Sequence, residues 1–153
     1  MDVQSDLQQL GRRLIGRWTT DATHPYLPGA AIRGSGEIEW LDGERFLVFR
    51  SSYDHPEIPN AISIIGDTDG LRMHYFDSRG VHRIYEVTVS KDGWEITMSR
   101  HAPAGSFASA DGAFSQRLRF SFEDQDRTMS GKGRLSHDDV NWEDDLQITY
   151  QRA

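Results

Sequence analysis

The chain is predicted to be all-β: a closed antiparallel up-and-down β-barrel of about ten strands, led by a short N-terminal helix. Two observations carry this. From Trp18 onward, short runs of alternating apolar and polar residues are divided by turn signals nearly to the C-terminus. The divisions fall at Asp42-Gly43, Asp67-Thr68-Asp69-Gly70, Asp77-Ser78-Arg79-Gly80, Lys91-Asp92-Gly93, Glu123-Asp124-Gln125-Asp126 and His137-Asp138-Asp139, the rhythm of consecutive antiparallel strands. No helix-length apolar pattern follows residue 16, which argues against a sheet gripping its ligand with a long C-terminal helix. A meander of about ten strands removes its exposed edges by closing, and a barrel of that size encloses room for a small molecule.

The first element spans Asp2 to Ile15. Leu7, Leu10 and Leu14 stand at helical spacing, Ser5 or Asp6 is a suitable cap, and Gly16 bounds the segment. Ten strands are then expected at about residues 17–23, 31–41, 44–53, 61–67, 71–77, 81–90, 94–101, 113–123, 128–136 and 142–151. Phe114, Gln116, Leu118, Phe120 and Phe122 share one face of their strand, opposite Ser115, Arg117, Arg119 and Ser121. The same alternation groups Trp94, Ile96, Met98 and Arg100, then Arg83, Tyr85, Val87 and Val89, then Trp142, Asp144, Leu146, Ile148 and Tyr150. Earlier strands are two-sided. Leu47 and Phe49 compete with Phe46 and Val48, and Met73 and Tyr75 with His74 and Phe76.

Composition narrows the function. With 153 residues the chain is the size of one domain, taken as residues 1–153. It has no cysteine, so it can form neither a disulfide framework nor a thiolate metal site. A net charge of −7 and a pI near 5.3 disfavour nucleic acid as a partner, because phosphate binding needs clustered cations. The N-terminus shows no leader pattern, and no apolar run approaches the roughly 20 residues of a membrane helix. A cytoplasmic protein with no membrane partner is expected, and a homodimer is allowed. Lys91 and Lys132 are the only lysines, so positive charge is mostly arginine, the better residue for fixed contacts to carboxylates or phosphates.

In a meander, alternate connections share an end. One end receives the short turns near 42–43, 67–70, 91–93 and 124–127; the other receives 24–30, 54–60, 78–80, 102–112 and 137–141, including every long one. The first end reads as closed, with the helix as its floor, and the second as a mouth. His24, His55, His101 and His137 fall at or beside the mouth, with His82 near it. The segment from Ala102 to Gly112 holds small residues around a single large one, Phe107, an arrangement suited to folding over an apolar ligand.

The stretches Leu14-Ile15-Gly16-Arg17-Trp18, Glu39-Trp40-Leu41-Asp42-Gly43-Glu44-Arg45-Phe46-Leu47, Tyr75-Phe76-Asp77-Ser78-Arg79-Gly80-Val81 and Trp142-Glu143-Asp144-Asp145-Leu146-Gln147-Ile148-Thr149-Tyr150 resemble bacterial lipocalin-like proteins of unknown function. These belong to the calycin superfamily and are related to nitrobindins and fatty-acid-binding proteins. The resemblance spans nearly the whole chain. Gly16 and Trp18 match the Gly-x-Trp of the first calycin strand, where the Trp closes the barrel floor. The resemblance implies a ten-stranded or similar barrel around a cavity, without one chemistry. Nitrobindins hold haem through a late histidine in a context absent here; His137 sits in an acidic turn and His101 before a proline-containing loop. No cofactor is therefore expected, with haem the lesser alternative.

A charge inside a small barrel must be paired, hydrated or offered to a ligand. Arg83, Arg100 and Gln116 fall in phase with Tyr85, Met98 and Leu118, so they are positioned to receive a ligand's carboxylate, phenolate or carbonyl oxygen. The competing reading is an internal ion pair with Asp144 or Glu86 and ordered water. Asp144 is taken as inward, although Asp145 replaces it if a bulge shifts the register. The acidic run from Asp138 to Asp145 lacks the Asx ladder, glycine and terminal Glu of a calcium loop, and no His pair has metal-ligand spacing, so no metal is expected. The expected site comprises apolar walls from Trp40, Phe49, Tyr75, Tyr85, Met98, Phe114, Leu118 and Trp142, the lid residue Phe107, and orienting groups Arg83, Arg100, Gln116 and Asp144. Its partner is a small hydrophobic or amphipathic molecule with an acidic or carbonyl oxygen. The alternative is a cavity isomerase or cyclase in which His24 or His101 works with Asp144 as proton carrier. No Gly-x-Ser-x-Gly nucleophile motif is present.

Overall fold

A computed structural model describes residues 2–101 and 114–153. The first element is α1 (Val3–Leu14), capped by Asp2, whose side chain accepts from the Gln4 backbone N–H at 3.2 Å. Ser5 and Asp6 lie inside the helix rather than at its cap, because a carboxylate one residue before the first turn reaches the unpaired N–H groups directly. Ten strands follow: β1 (Gly16–Thr23), β2 (Ile32–Trp40), β3 (Phe46–Tyr53), β4 (Ala61–Asp67), β5 (Leu71–Asp77), β6 (His82–Val89), β7 (Gly93–Met98), β8 (Ser115–Glu123), β9 (Thr128–Ser136) and β10 (Glu143–Arg152). Each pairs antiparallel with its chain neighbours, and β1 pairs with β10, closing the barrel. No helix among the described residues is long and apolar enough to cross a membrane.

The helix closes the end with the short turns. Leu7, Leu10 and Leu14 are fully buried, with Trp18, Ile38, Leu47, Ile65 and Met129 in the same core. Polar groups on α1 bind the short turns themselves: Gln4 Nε2 donates to the Glu44 carbonyl, and Arg13 donates to the Lys91 carbonyl and to both carboxylate oxygens of Asp126. Trp18 Nε1 donates to the Leu14 carbonyl at 2.8 Å. Arg152, at the end of β10, stacks 4.0 Å over the Trp18 ring and donates to the carbonyls of Arg13 and Ile15. First and last strands thus lock the same floor.

Strand phase separates an inner and an outer face. In the two-sided strands, Leu47, Phe49, Met73 and Tyr75 point inward, as do Ser63 and Ile65 between them. The competing phase makes an outer apolar strip, in which the pairing runs Val48, Ile64, His74 and Ile84 across four strands. Phe76 stacks on His82 there at 4.7 Å between ring centroids, and His74 lies 6.1 Å from His82. Where the inner wall needs room, glycines supply it: a Cβ on Gly131 would lie 2.9–3.1 Å from Ile148 and Phe120, so their side chains fill that space.

One irregularity reorders the mouth. Between Asp144 and Gln147 the β10–β9 register shifts by a bulge. Asp144 pairs with Arg134 on the outer face, whereas Asp145 is turned inward and buried. Gly133 sits opposite, where a Cβ would meet the Leu146 carbonyl at 2.8 Å.

Candidate functional site

The mouth half of the barrel interior contains a connected set of polar side chains. Asp145 is 6 % exposed. One of its carboxylate oxygens faces His24 Nε2 at 3.0 Å, and the other accepts from Gln116 Nε2 at 2.8 Å. Gln116 Oε1 accepts from the Tyr85 hydroxyl at 2.6 Å. Tyr85 meets Tyr75 edge to face at 6.4 Å. The Tyr75 hydroxyl donates to Asp77 at 2.8 Å, and Arg79 holds the same carboxylate at 2.6 Å. Asp145 and Asp77 are therefore already partnered.

Arg83 differs. Its guanidinium carbon lies 5.2 Å from the Phe114 ring centroid and 5.8 Å from that of Tyr75. Its Nε is buried and has no hydrogen-bond partner among the described residues. A positive group held by ring faces can donate to an oxygen placed beside it.

Burial pushes the Tyr85 hydroxyl above the ordinary tyrosine range, more than Arg83 lowers it through its charge and a side-chain hydrogen bond. Tyr75 is also raised, by burial and by its bond to Asp77. Burial pushes the Asp77 carboxyl up, but hydrogen bonds from Arg79 and Tyr75 outweigh it and leave it below the usual carboxylate range. The tyrosines thus remain neutral hydrogen-bonding groups near neutral pH.

The structure brings several expected residues together and displaces others. Tyr75, Arg83, Tyr85, Met98, Phe114, Gln116 and Leu118 share the inner face from β5 to β8, and Phe49 lies inward on β3, edge-on to Tyr150. Asp144 is exposed on the outer face, and Asp145 takes its place through the bulge. The same one-residue shift turns Trp142 outward, where the Arg117 guanidinium lies 5.2 Å from its ring. Arg100 lies beyond the end of β7 and is held at the rim by Asp139, Nε to Oδ2 at 3.0 Å, instead of continuing the inner face. Trp40 is inward but belongs to the floor: a Cβ on Gly11 of α1 would meet its ring at 2.3 Å. Glu86 is exposed and offers Arg83 no internal partner. Phe107 lies outside the described residues.

The proton-carrier pairing is also redrawn. His24 meets Asp145, not Asp144, and His101 faces Asp139 at 3.7 Å on the rim. His24 Nδ1 accepts from the Tyr26 backbone N–H at 3.1 Å, so Nε2 carries the proton that faces Asp145. His55 Nδ1 accepts from the Glu57 N–H in the same way, which explains both His-Pro dipeptides as turn-forming units. Among the described residues, no group of three or more His, Cys, Asp or Glu is arranged to hold a metal ion. Asp77 joins the interior although its place in a turn signal hides that role; it is two residues from Tyr75 and therefore in its phase.

No protein-family model matches the chain, and no curated protein matches it. Among solved structures it is similar to Rv2717c from M. tuberculosis, at 16 % identity over 97 % of each chain, with a TM-score of 0.65. At that identity the likeness is one of fold. It also aligns more loosely with the redesigned beta barrel mFAP1, bound to DFHBI, at 14 % identity over 94 % of this chain and 98 % of that chain, with a TM-score of 0.42.

Proposed function

We propose that this protein is a calycin-type binding barrel that takes a small, largely apolar molecule through its mouth and orients it by an acidic or carbonyl oxygen at Arg83. The observation that carries this reading is the imbalance of partners inside the barrel. Asp145 and Asp77 are each satisfied by two side chains, while Arg83 Nε is buried without an acceptor among the described residues. A buried donor left unpaired costs on the order of 1–3 kcal/mol, a cost that a ligand oxygen would relieve. The surrounding Tyr75, Phe114, Met98 and Leu118 suit the rest of an apolar molecule. A chain without cysteine suits such a carrier in a reducing compartment such as the cytoplasm.

The isomerase or cyclase alternative is weakened by His24. Both of its nitrogens are engaged, Nδ1 by a backbone N–H and Nε2 by Asp145, so neither is free to exchange a proton with a substrate.

Titration calorimetry with decanoate, an apolar chain carrying one carboxylate, tests the binding reading, together with native mass spectrometry of freshly purified protein. Arg83→Met is expected to weaken decanoate at least about tenfold, the scale of one charge-assisted hydrogen bond, while the rim variant Arg100→Met leaves it unchanged. Equal affinity in Arg83→Met and the parent protein would remove the reading.

A further inference from the structure

The hydrogen bonds joining Asp145, Gln116 and Tyr85 have a direction that chemistry dictates. The Asp145 oxygen that faces Gln116 accepts from its amide nitrogen at 2.8 Å. Its Oε1 is thereby left facing Tyr85, and an amide oxygen cannot donate. The Tyr85 hydroxyl must give its single proton to that oxygen, at 2.6 Å. On the far side, His24 Nε2 presents its proton to the other oxygen of Asp145 and cannot reverse the sequence, because Nδ1 is held by Tyr26.

The consequence lies at the end of the relay. With its proton committed to Gln116, Tyr85 Oη offers only lone pairs to anything beside it. Arg83, on the same inner face two residues nearer the mouth, offers only donors, and its buried Nε has no acceptor of its own among the described residues. One wall therefore presents the donors of Arg83 and the lone pairs of Tyr85 Oη side by side, and the Arg83 side chain takes up at most one of those two lone pairs. A plain carboxylate satisfies the first and sets its own lone pairs against those of the second.

Resting on the ligand-binding reading, we infer that the ligand is bifunctional: it carries an acceptor oxygen for Arg83 and, a few bonds away, a hydroxyl or N–H that donates to Tyr85 Oη. Hydroxy acids and hydroxy ketones are the simplest molecules of this class. Asp145 is the positioning residue, since its oxygens accept from Gln116 and face His24 and so set the direction of the relay and the kind of group that Tyr85 selects.

Calorimetric titration of decanoate and 3-hydroxydecanoate against the full chain separates the outcomes. In the parent protein, the hydroxylated acid is expected to bind about fivefold more tightly or better, the scale of one net hydrogen bond. In Tyr85→Phe this ratio falls to about one. Asp145→Asn, which can turn an amide N–H toward Gln116, narrows the ratio by releasing the direction of the relay, and it carries the test if Tyr85→Phe does not fold. Equal affinity for both acids in the parent protein, or a ratio that persists in the folded variant tested, overturns bifunctional recognition and leaves the Arg83 reading standing. No binding of either acid removes both.

Discussion

The floor and the mouth of this barrel are built on opposite principles. At the floor, Leu7, Leu10 and Leu14 of α1 are wholly buried against Trp18, Ile38, Leu47, Ile65 and Met129, and the polar groups of the helix bind the turns around the core instead of entering it. At the mouth, Arg83, Tyr85, Gln116, Asp145 and His24 lie among apolar side chains inside the barrel. Burying a leucine side chain stabilises by about 1.5–3 kcal/mol, whereas a buried polar group at best recovers what its desolvation costs. The comparison teaches that apolar burial is concentrated at one end, which leaves the other to hold buried polar groups.

The largest effect is expected at the floor. Leu10→Ala should cost about 2–5 kcal/mol in urea unfolding, since the fully buried site leaves a cavity that its neighbours cannot fill. A loss below about 1 kcal/mol would show that the floor does not dominate stability. The same end should reject added volume. A Cβ on Gly93 would lie 1.8 Å from the Phe120 carbonyl oxygen, so Gly93→Ala is expected to cost about 3 kcal/mol by distorting the β7–β8 pairing.

At the mouth, Asp145→Ala removes an acceptor from both His24 and Gln116, and about 1–3 kcal/mol should be lost. Arg83→Met should behave differently. It removes a buried unpaired donor, so stability should stay unchanged or rise by about 1 kcal/mol, while decanoate affinity is expected to fall. A marked loss of stability in Arg83→Met would blur the contrast by making Arg83 a structural residue.

The smallest effect concerns the outer strip, which belongs to neither end. Burial, followed by repulsion from His82 and Arg72, holds His74 below the ordinary histidine range. The unfolded chain then takes up the proton more readily than the folded one. Stability should therefore fall as pH drops from about 6.5 through the lowered folded value. Melting curves between about pH 7.5 and 5 should show a decline on the order of a degree that flattens in His74→Gln.

Much of the architecture was legible because it follows from local periodicity. The β4, β5 and β9 boundaries coincide with those expected, and the helical spacing of Leu7, Leu10 and Leu14 marked the buried stripe directly. The inner-face placement of candidate residues was legible where a strand keeps its phase, as for Arg83 and Tyr85 on β6 and Gln116 and Leu118 on β8. It was not legible where phase breaks. Trp142 and Asp144 share parity with Ile148 and Tyr150, yet the bulge in β10 puts the first two outside and the last two inside. Arg100 likewise left the inner face because its strand ends two residues earlier.

By itself, the sequence determined the number and order of the strands, the two ends of the barrel and the helix that closes one of them, because turn residues and apolar alternation act within a few residues of each other. Only the tertiary structure decided which acid turns inward, which face of the early strands meets the core, and that Trp40 belongs to the floor. Those choices depend on partners far apart in the chain: Gly133 opposite the bulge, Gly11 beneath the Trp40 ring, and His24 waiting across the mouth for Asp145. No local pattern encodes them, since each is settled by which side chains the closed barrel brings into contact.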